Sequence, residues 1–288
     1  MIKKGIILAG GLGTRMSPLT KAVNKQLLPL YDKPLIFYPL SVLMLAGIKK
    51  ILIIVNKGQL NQFKKILPEK NNFGVTIEYK EQLQPKGLPQ AFTIGEKFIG
   101  KDSIALILGD NFFYGQSLTK ILKKNINLKS GAKIFIHPVK NPCLYGVASL
   151  DKNKKVTKLI EKPKQTNSNF AVTGLYFFDN KVIKFTKKLK PSKRGELEII
   201  DLLNCYKRKN KLKAELIGRG GSWLDTGNIN DFYDASNFIS TIENRQGLKI
   251  ACLEEIAFKK GWIKKPNIMK AIRFYGNCNY SSYLKNLI

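Results

Sequence analysis

The 288-residue chain is 44% hydrophobic and 24% charged, a balance that supports a buried core and excludes an intrinsically disordered protein. Its formal net charge of +30 raises nucleic-acid binding, but the lysines lie as singles, pairs and short runs along the whole length with no basic arm. They read as a solvated surface, so neither a nucleic-acid nor a membrane partner is expected.

The elements follow in chain order. Lys4 to Leu8 is a short apolar run ending in glycines, which reads as a buried strand rather than a signal peptide. Pro34 to Gly47 reads as a helix, with proline near its start and glycine past its end. Strands at Ile51–Val55, Val75–Tyr79 and Ile104–Leu108 alternate with helices at Gln59–Leu67 and Leu88–Phe98. Continuous apolar strands in this rhythm predict an α/β fold with a mostly parallel sheet sandwiched by helices. The middle differs: Ala132–Val139, Gly146–Leu150, Val156–Glu161 and Ala171–Phe178 are strands with little helix between them, a smaller mixed-sheet lobe. Helices at Lys181–Leu189 and Leu197–Arg208, a strand-and-turn unit at Leu212–Gly227 and a helix at Asp231–Asn244 complete the pattern. The expected division is a core with its lobe over residues 1–228 and a helical extension over 229–288. Cys143, Cys205, Cys252 and Cys278 show no CxxC spacing. The longest apolar stretch, Leu35 to Ile48, is too short to span a bilayer. A cytoplasmic protein is the expectation.

Five short motifs carry chemistry. In Leu8-Ala9-Gly10-Gly11-Leu12-Gly13-Thr14-Arg15, three glycines after a strand allow a sharp turn whose backbone N–H groups can cradle phosphate. The same glycines also suit a plain tight turn. The third glycine of a dinucleotide fingerprint and the lysine of a Walker A loop are absent. Thr14 and Arg15 add a hydroxyl and a guanidinium fork. Lys25 in Lys25-Gln26-Leu27-Leu28-Pro29 follows closely enough to face the same polyphosphate. Asp110, just past the strand at Ile104–Leu108, is either a Mg²⁺ ligand or a turn aspartate; Asp225 in Trp223-Leu224-Asp225-Thr226-Gly227 is a second candidate. Glu161-Lys162-Pro163 reads as a sugar and phosphate contact or as a surface ion pair. His137, the only histidine, lies in an apolar strand and reads as packed rather than basic.

Together with Leu108-Gly109-Asp110-Asn111, Ala171-Val172-Thr173-Gly174, Arg194-Gly195-Glu196-Leu197-Glu198-Ile199, Ala235-Ser236-Asn237-Phe238-Ile239 and Glu254-Glu255-Ile256-Ala257-Phe258, these motifs occur in one order from the N-terminus to about Gly261. In this the chain resembles the glucose-1-phosphate thymidylyltransferase family of sugar nucleotidyltransferases. The resemblance implies a Rossmann-like sheet with a sugar-binding lobe, a homotetramer, and formation of dTDP-glucose and pyrophosphate from dTTP and glucose 1-phosphate. It implies that Asp110 and Asp225 hold Mg²⁺, that Arg15 and Lys25 neutralise the triphosphate, and that Lys162 holds the sugar phosphate. Leu8, Gly10, Gly11, Gly13, Thr14, Gln26, Gln82 and Gly87 fall on the nucleotide side, and Asn111, Tyr145, Gly146, Glu161 and Val172 on the sugar side. Lys86 and Pro89 depart from the family's usual base-binding segment.

Overall fold

The computed structural model describes residues 1–288. In chain order the strands are β1 (Lys4–Ala9), β2 (Pro29–Leu30), β3 (Lys33–Pro34), β4 (Lys50–Asn56), β5 (Thr76–Gln82), β6 (Ile104–Leu108), β7 (Asn111–Gly115), β8 (Ala132–Pro138), β9 (Gly146–Leu150), β10 (Val156–Glu161), β11 (Phe170–Phe178), β12 (Leu212–Leu216) and β13 (Gly221–Asp225). The helices are α1 (Phe37–Leu45), α2 (Leu60–Ile66), α3 (Gln90–Ile94), α4 (Glu96–Ile99), α5 (Leu118–Asn125), α6 (Lys181–Thr186), α7 (Ile199–Arg208), α8 (Ile229–Gln246), α9 (Leu253–Lys259), α10 (Lys265–Tyr275) and α11 (Asn279–Lys285).

The main sheet runs in the order β10-β9-β11-β6-β1-β4-β5, with β8 on the other side of β11 and β12 beyond it. Strands β6, β1, β4 and β5 are parallel. Alternate residues of these strands point to opposite faces, and both faces are covered. Ile7, Ala9, Ile51, Ile53 and Ile107 join one core with α1 and α9, whereas Ile6, Leu8, Leu52, Ile54 and Leu106 join another that includes α3 and α7. This two-sided burial explains the uninterrupted apolar runs, since neither face has to be wetted. Strand β11 bridges the two parts of the sheet. Its C-terminal half pairs antiparallel with β6, and its N-terminal half reaches β9 of the mixed lobe.

The expected elements form, with local differences. The helix expected from Pro34 starts at Phe37, because Pro34 is taken into the β2–β3 hairpin. The helix expected over Leu88–Phe98 breaks into α3 and α4 at Gly95. A Cβ there would press on Ile6 and Leu52 of the sheet, so glycine lets the helix sit close. Strand β7 and helix α5 were not expected; β7 pairs antiparallel with β13, in register Asn111 opposite Asp225. Pairing partners 106 (Gly115 and Gly221) to 114 (Asn111 and Asp225) residues apart in sequence leave no local signal.

The helical C-terminal segment is fixed by charge as well as packing. Asn228 caps α8 by accepting from Asp231 N at 3.0 Å, and Gly247 ends it at φ 67°. Lys25 and Lys33 are the two buried lysines of the chain. Lys33, in the β2–β3 hairpin, bonds Glu243 of α8 at 3.0 Å and also pairs with Asp32. Glu243 further accepts from Lys249 at 3.2 Å and Ile250 N at 2.8 Å. Removing one member of a buried pair leaves the other charge without compensation, at roughly 3–5 kcal/mol. Asp32 still faces Lys33 after Glu243→Leu, so the unfolding free energy should fall by less than that, roughly 1–3 kcal/mol. Adding Lys33→Met should cost less than the two single losses summed, as measured by urea denaturation.

Candidate active site

The carboxyl ends of the four parallel strands carry the candidate site. The glycine loop leaves β1, Asn56 ends β4, Gln82 ends β5, and Asp110 follows β6. In sheet order this makes a row of Asp110, Gly10, Asn56 and Gln82. Gly11 (φ 117°) adopts a conformation that favours glycine, and its N–H and C=O are both held by the Asn56 amide at 2.9 Å. Leu8 supports the turn from below, its carbonyl accepting from Gly109 N at 2.9 Å. Thr14 opens the short turn Thr14–Met16 that presents Arg15.

Along this row, a Cβ at Gly10 would overlap the Gln82 side-chain carbonyl, so glycine is required for the two to lie together. Gln82 Nε2 donates to Gln90 Oε1 at 2.6 Å, and the same oxygen accepts from Lys86 N at 2.9 Å. Gly87 (φ 97°) packs so tightly on the Leu197 backbone that no side chain fits. Its neighbour Lys86 accepts from Leu197 N through its carbonyl at 2.9 Å. Gln26 is buried, and its Oε1 has no hydrogen-bond partner.

A cavity of about 440 Å³ has walls that include Arg15, Asp110, Asn111, Tyr145, Gly146, Glu161, Lys162, Val172 and Asp225. Nine of the sequence-derived positions therefore converge on one space. Arg194, Glu196, Glu198, Tyr176 and Trp223 line it too, without any role having been read for them in the sequence. Arg194 clamps Glu198 through Nη2 to Oε2 at 2.9 Å and Nε to Oε1 at 3.1 Å, and approaches Glu161 at 3.9 Å. Burial, then the Glu198 charge, raises the Glu161 carboxyl, against the pull of Lys162 and Arg194. Lys162 stands at φ 40°, unusual for a residue with a side chain, and its N–H donates to the Tyr145 carbonyl at 3.1 Å. A Cβ at Gly146 would come within 3.2 Å of Glu161 Oε2.

The β7–β13 ladder brings the two aspartates together. Asn111 orients Asp110: its Oδ1 accepts from Trp223 Nε1 at 2.6 Å and Gly174 N at 2.9 Å, which fixes the amide so that Nδ2 donates to Asp110 Oδ1 at 3.1 Å. Thr226 holds the Asp110 carbonyl through its N–H at 3.1 Å and its hydroxyl at 2.8 Å. Lys25 Nζ donates to Asp110 Oδ2 at 2.7 Å. Burial raises the Asp110 carboxyl, but the Lys25 charge and its hydrogen bond outweigh it and hold it below the usual range. Asp225 has no such cation bonded to it. Burial, then the charge of Asp110, pushes it up to about 7, against the weaker pull of Lys25 and Arg15. Two crowded carboxylates of which one lacks a counter-charge suit a divalent cation. No group of three or more acidic, histidine or cysteine side chains is placed to hold a metal, so substrate oxygens would have to complete the shell.

A fold with a glycine loop at the end of its first strand, paired carboxylates and a cavity lined by Arg15 and Lys162 defines a nucleotide-transferring enzyme, and the chain belongs to the nucleotidyl transferase family, which it matches over residues 4–242. Within that family it falls among the glucose-1-phosphate thymidylyltransferases. It is 49% identical over 285 residues to the enzyme of that name from Neisseria meningitidis serogroup A, covering 99% of both chains. The Mycobacterium tuberculosis enzyme of the same name is 45% identical over 285 residues, again with 99% of both covered. A solved Bacillus anthracis structure, described as a glucose-1-phosphate thymidylyltransferase in complex with sucrose, superposes with a TM-score of 0.76. It is 38% identical and covers 82% of this chain and 94% of that one. No helix is long and apolar enough to cross a membrane.

The Asp225 carboxyl gives a pH prediction. Its folded pKa of about 7 exceeds the ordinary 3.8, so its contribution favours the fold fully below pH 3.8 and is lost as pH rises through 7. In metal-free buffer, Asp225→Asn should therefore melt higher than the unmodified protein at pH 8, by up to roughly 4 kcal/mol in stability. The gap should close towards pH 4, as followed by thermal unfolding at several pH values.

Proposed function

We propose that the chain makes dTDP-glucose and pyrophosphate from dTTP and α-D-glucose 1-phosphate in the cytoplasm, as a homotetramer. The observation that carries the reading is the Asp110–Asp225 pair in the wall of a cavity that Arg15 and Lys162 also line. The division into a core with its lobe over residues 1–228 and an assembly segment over 229–288 belongs to the same proposal.

The row from Asp110 to Gln82 spans three strand spacings, about 14 Å at roughly 4.8 Å each. A nucleotide laid along it sets its base against Gln82 and Gly87 and its phosphates against Gly10, Gly11, Gly13 and Thr14. One Gln82 N–H is engaged by Gln90, leaving Oε1 and a second N–H for a pyrimidine edge. Gln26, with its unpaired oxygen, sits beneath the same shelf. The sugar ring takes the cavity, where the Glu161 carboxylate, the Asn111 amide and the backbone at Gly146 and Val172 offer partners to hydroxyl groups.

The reaction joins two anions: an oxygen of the sugar phosphate attacks the α-phosphorus of dTTP, and the bond to pyrophosphate breaks in line. Repulsion between them is the main obstacle, so fixed positive charge and alignment supply the catalysis. Lys162 draws in the sugar phosphate, and Arg15 and Lys25 offset the charge of the triphosphate. Asp110 and Asp225 would hold Mg²⁺, which would supply further charge neutralisation at the phosphates. No side chain has to act as a nucleophile, and Tyr145, raised to about 12 by burial and then by Asp225, stays protonated.

Two measurements test the reading. Pyrophosphate release with each nucleoside triphosphate should rank dTTP first, and UTP within the factor that a methyl contact of about 1–3 kcal/mol allows. CTP should be rejected more strongly, because its amine meets a donor, and Gln82→Ala should narrow the gap between dTTP and CTP. A panel led by CTP would overturn the thymidylyl assignment. Arg15→Ala should cut kcat by roughly 100-fold or more, and Arg15→Lys should restore little of it, because the guanidinium fork is lost. Full activity in Arg15→Lys would reduce Arg15 to a bare charge.

A further inference from the structure

Strand β8 is antiparallel to β11, as β6 is, and β12 runs parallel to β8. Their N-terminal ends thus open at the end of the sheet opposite to the catalytic site. A cavity of about 360 Å³ lies there, between the chain following α5 and the turn that enters β12. Five of its eleven lining residues are lysines (Lys124, Lys129, Lys133, Lys211 and Lys213) and none is acidic. The chain as a whole has 50 Lys and Arg in 288 residues, so the density here is well above the average that composition alone gives.

The walls are held in place. Gly131 (φ 91°) has no room for a side chain against the Lys211 carbonyl, and Ala132 N donates to that carbonyl at 2.8 Å. Asp179 accepts from Gly131 N at 2.7 Å and from the Tyr206 hydroxyl at 2.8 Å, fixing the entry to β8. Lys133 reaches the buried Asn125 amide oxygen. Burial, together with the charges of Lys213 and Lys124, holds its ammonium below the usual range despite Glu215. Lys124 alone of the five has a carboxylate partner, Glu215 at 3.1 Å. Crowded ammonium groups in a concave, preformed space are stabilised by a multivalent anion.

We infer that this cavity is a second anion site, which takes a small inorganic polyphosphate of the pyrophosphate class. Its lining holds no aromatic ring on which a base could stack and only Leu128 and Ala132 as apolar walls, so a nucleotide finds nothing for its base. Lysine, a compact point charge with three donors, suits phosphate oxygens arriving from several directions. A long polyanion would need a groove that continues beyond the pocket.

The test is calorimetric titration of the full chain with pyrophosphate, without Mg²⁺ and at roughly physiological salt, where loose surface pairing is screened. Lys211→Gln with Lys213→Gln, both exposed and so harmless to folding, should weaken a pyrophosphate site by about tenfold while turnover is unchanged. Lys152→Gln with Lys154→Gln, exposed lysines on another strand turn, should leave every pyrophosphate site intact. dTTP should bind equally well to both variants. The inference is overturned if the pocket variant binds pyrophosphate as the unmodified chain does, if the control pair weakens it equally, or if dTTP binding falls in the pocket variant.

Discussion

The carboxyl end of the parallel sheet is organised by one electrostatic constraint: the β7–β13 ladder forces two carboxylates together, and one buried lysine is bonded to only one of them. Asn111 opposite Asp225 sets that register, and a slip of one residue would turn Asp225 to the other face of the ribbon. Lys25 can offset only one of the pair, and it is bonded to Asp110. The remaining charge on Asp225 is an energetic debt of the folded state that a divalent cation and phosphate oxygens can relieve. Such sites are commonly less stable than a neutral alternative, because the geometry that suits the reacting complex is strained without it.

Much of the rest serves to hold this confrontation steady. The Asn111 carbonyl is saturated by Trp223 and Gly174, so its amide has one orientation only. Thr226 binds the Asp110 backbone twice. Further out, the Lys33–Glu243 pair ties α8 to the hairpin that follows Lys25, and Leu35 N and Ile36 N donate to Leu28 and Gln26 beneath it. The helical C-terminal segment is thereby linked to the strap that carries Lys25. Strand β11 does the same for the other half of the site, since one continuous strand spans the parallel sheet and the mixed lobe.

The sequence by itself determined the parallel sheet, through apolar runs whose both faces must be dry, and the glycine loop, through residues that alone tolerate the turn. Its ordered motifs also determined the family and the candidates Arg15, Lys25, Asp110, Lys162 and Asp225, because the type and order of charged residues survive in a linear string. Only the tertiary structure decided which of them meet. That Lys25 sits on Asp110 rather than in open solution, that Asn56 and Gln90 hold Gly11 and Gln82, and that Arg194 and Glu198 wall the cavity all depend on contacts between distant segments. The same holds for β7, whose pairing partners lie 106 to 114 residues away, and for the buried Lys33, which in the string is one lysine among many. Periodicity and propensity act over a few neighbouring residues, whereas the energies of paired charges depend on distance and burial, which exist only once the chain has folded.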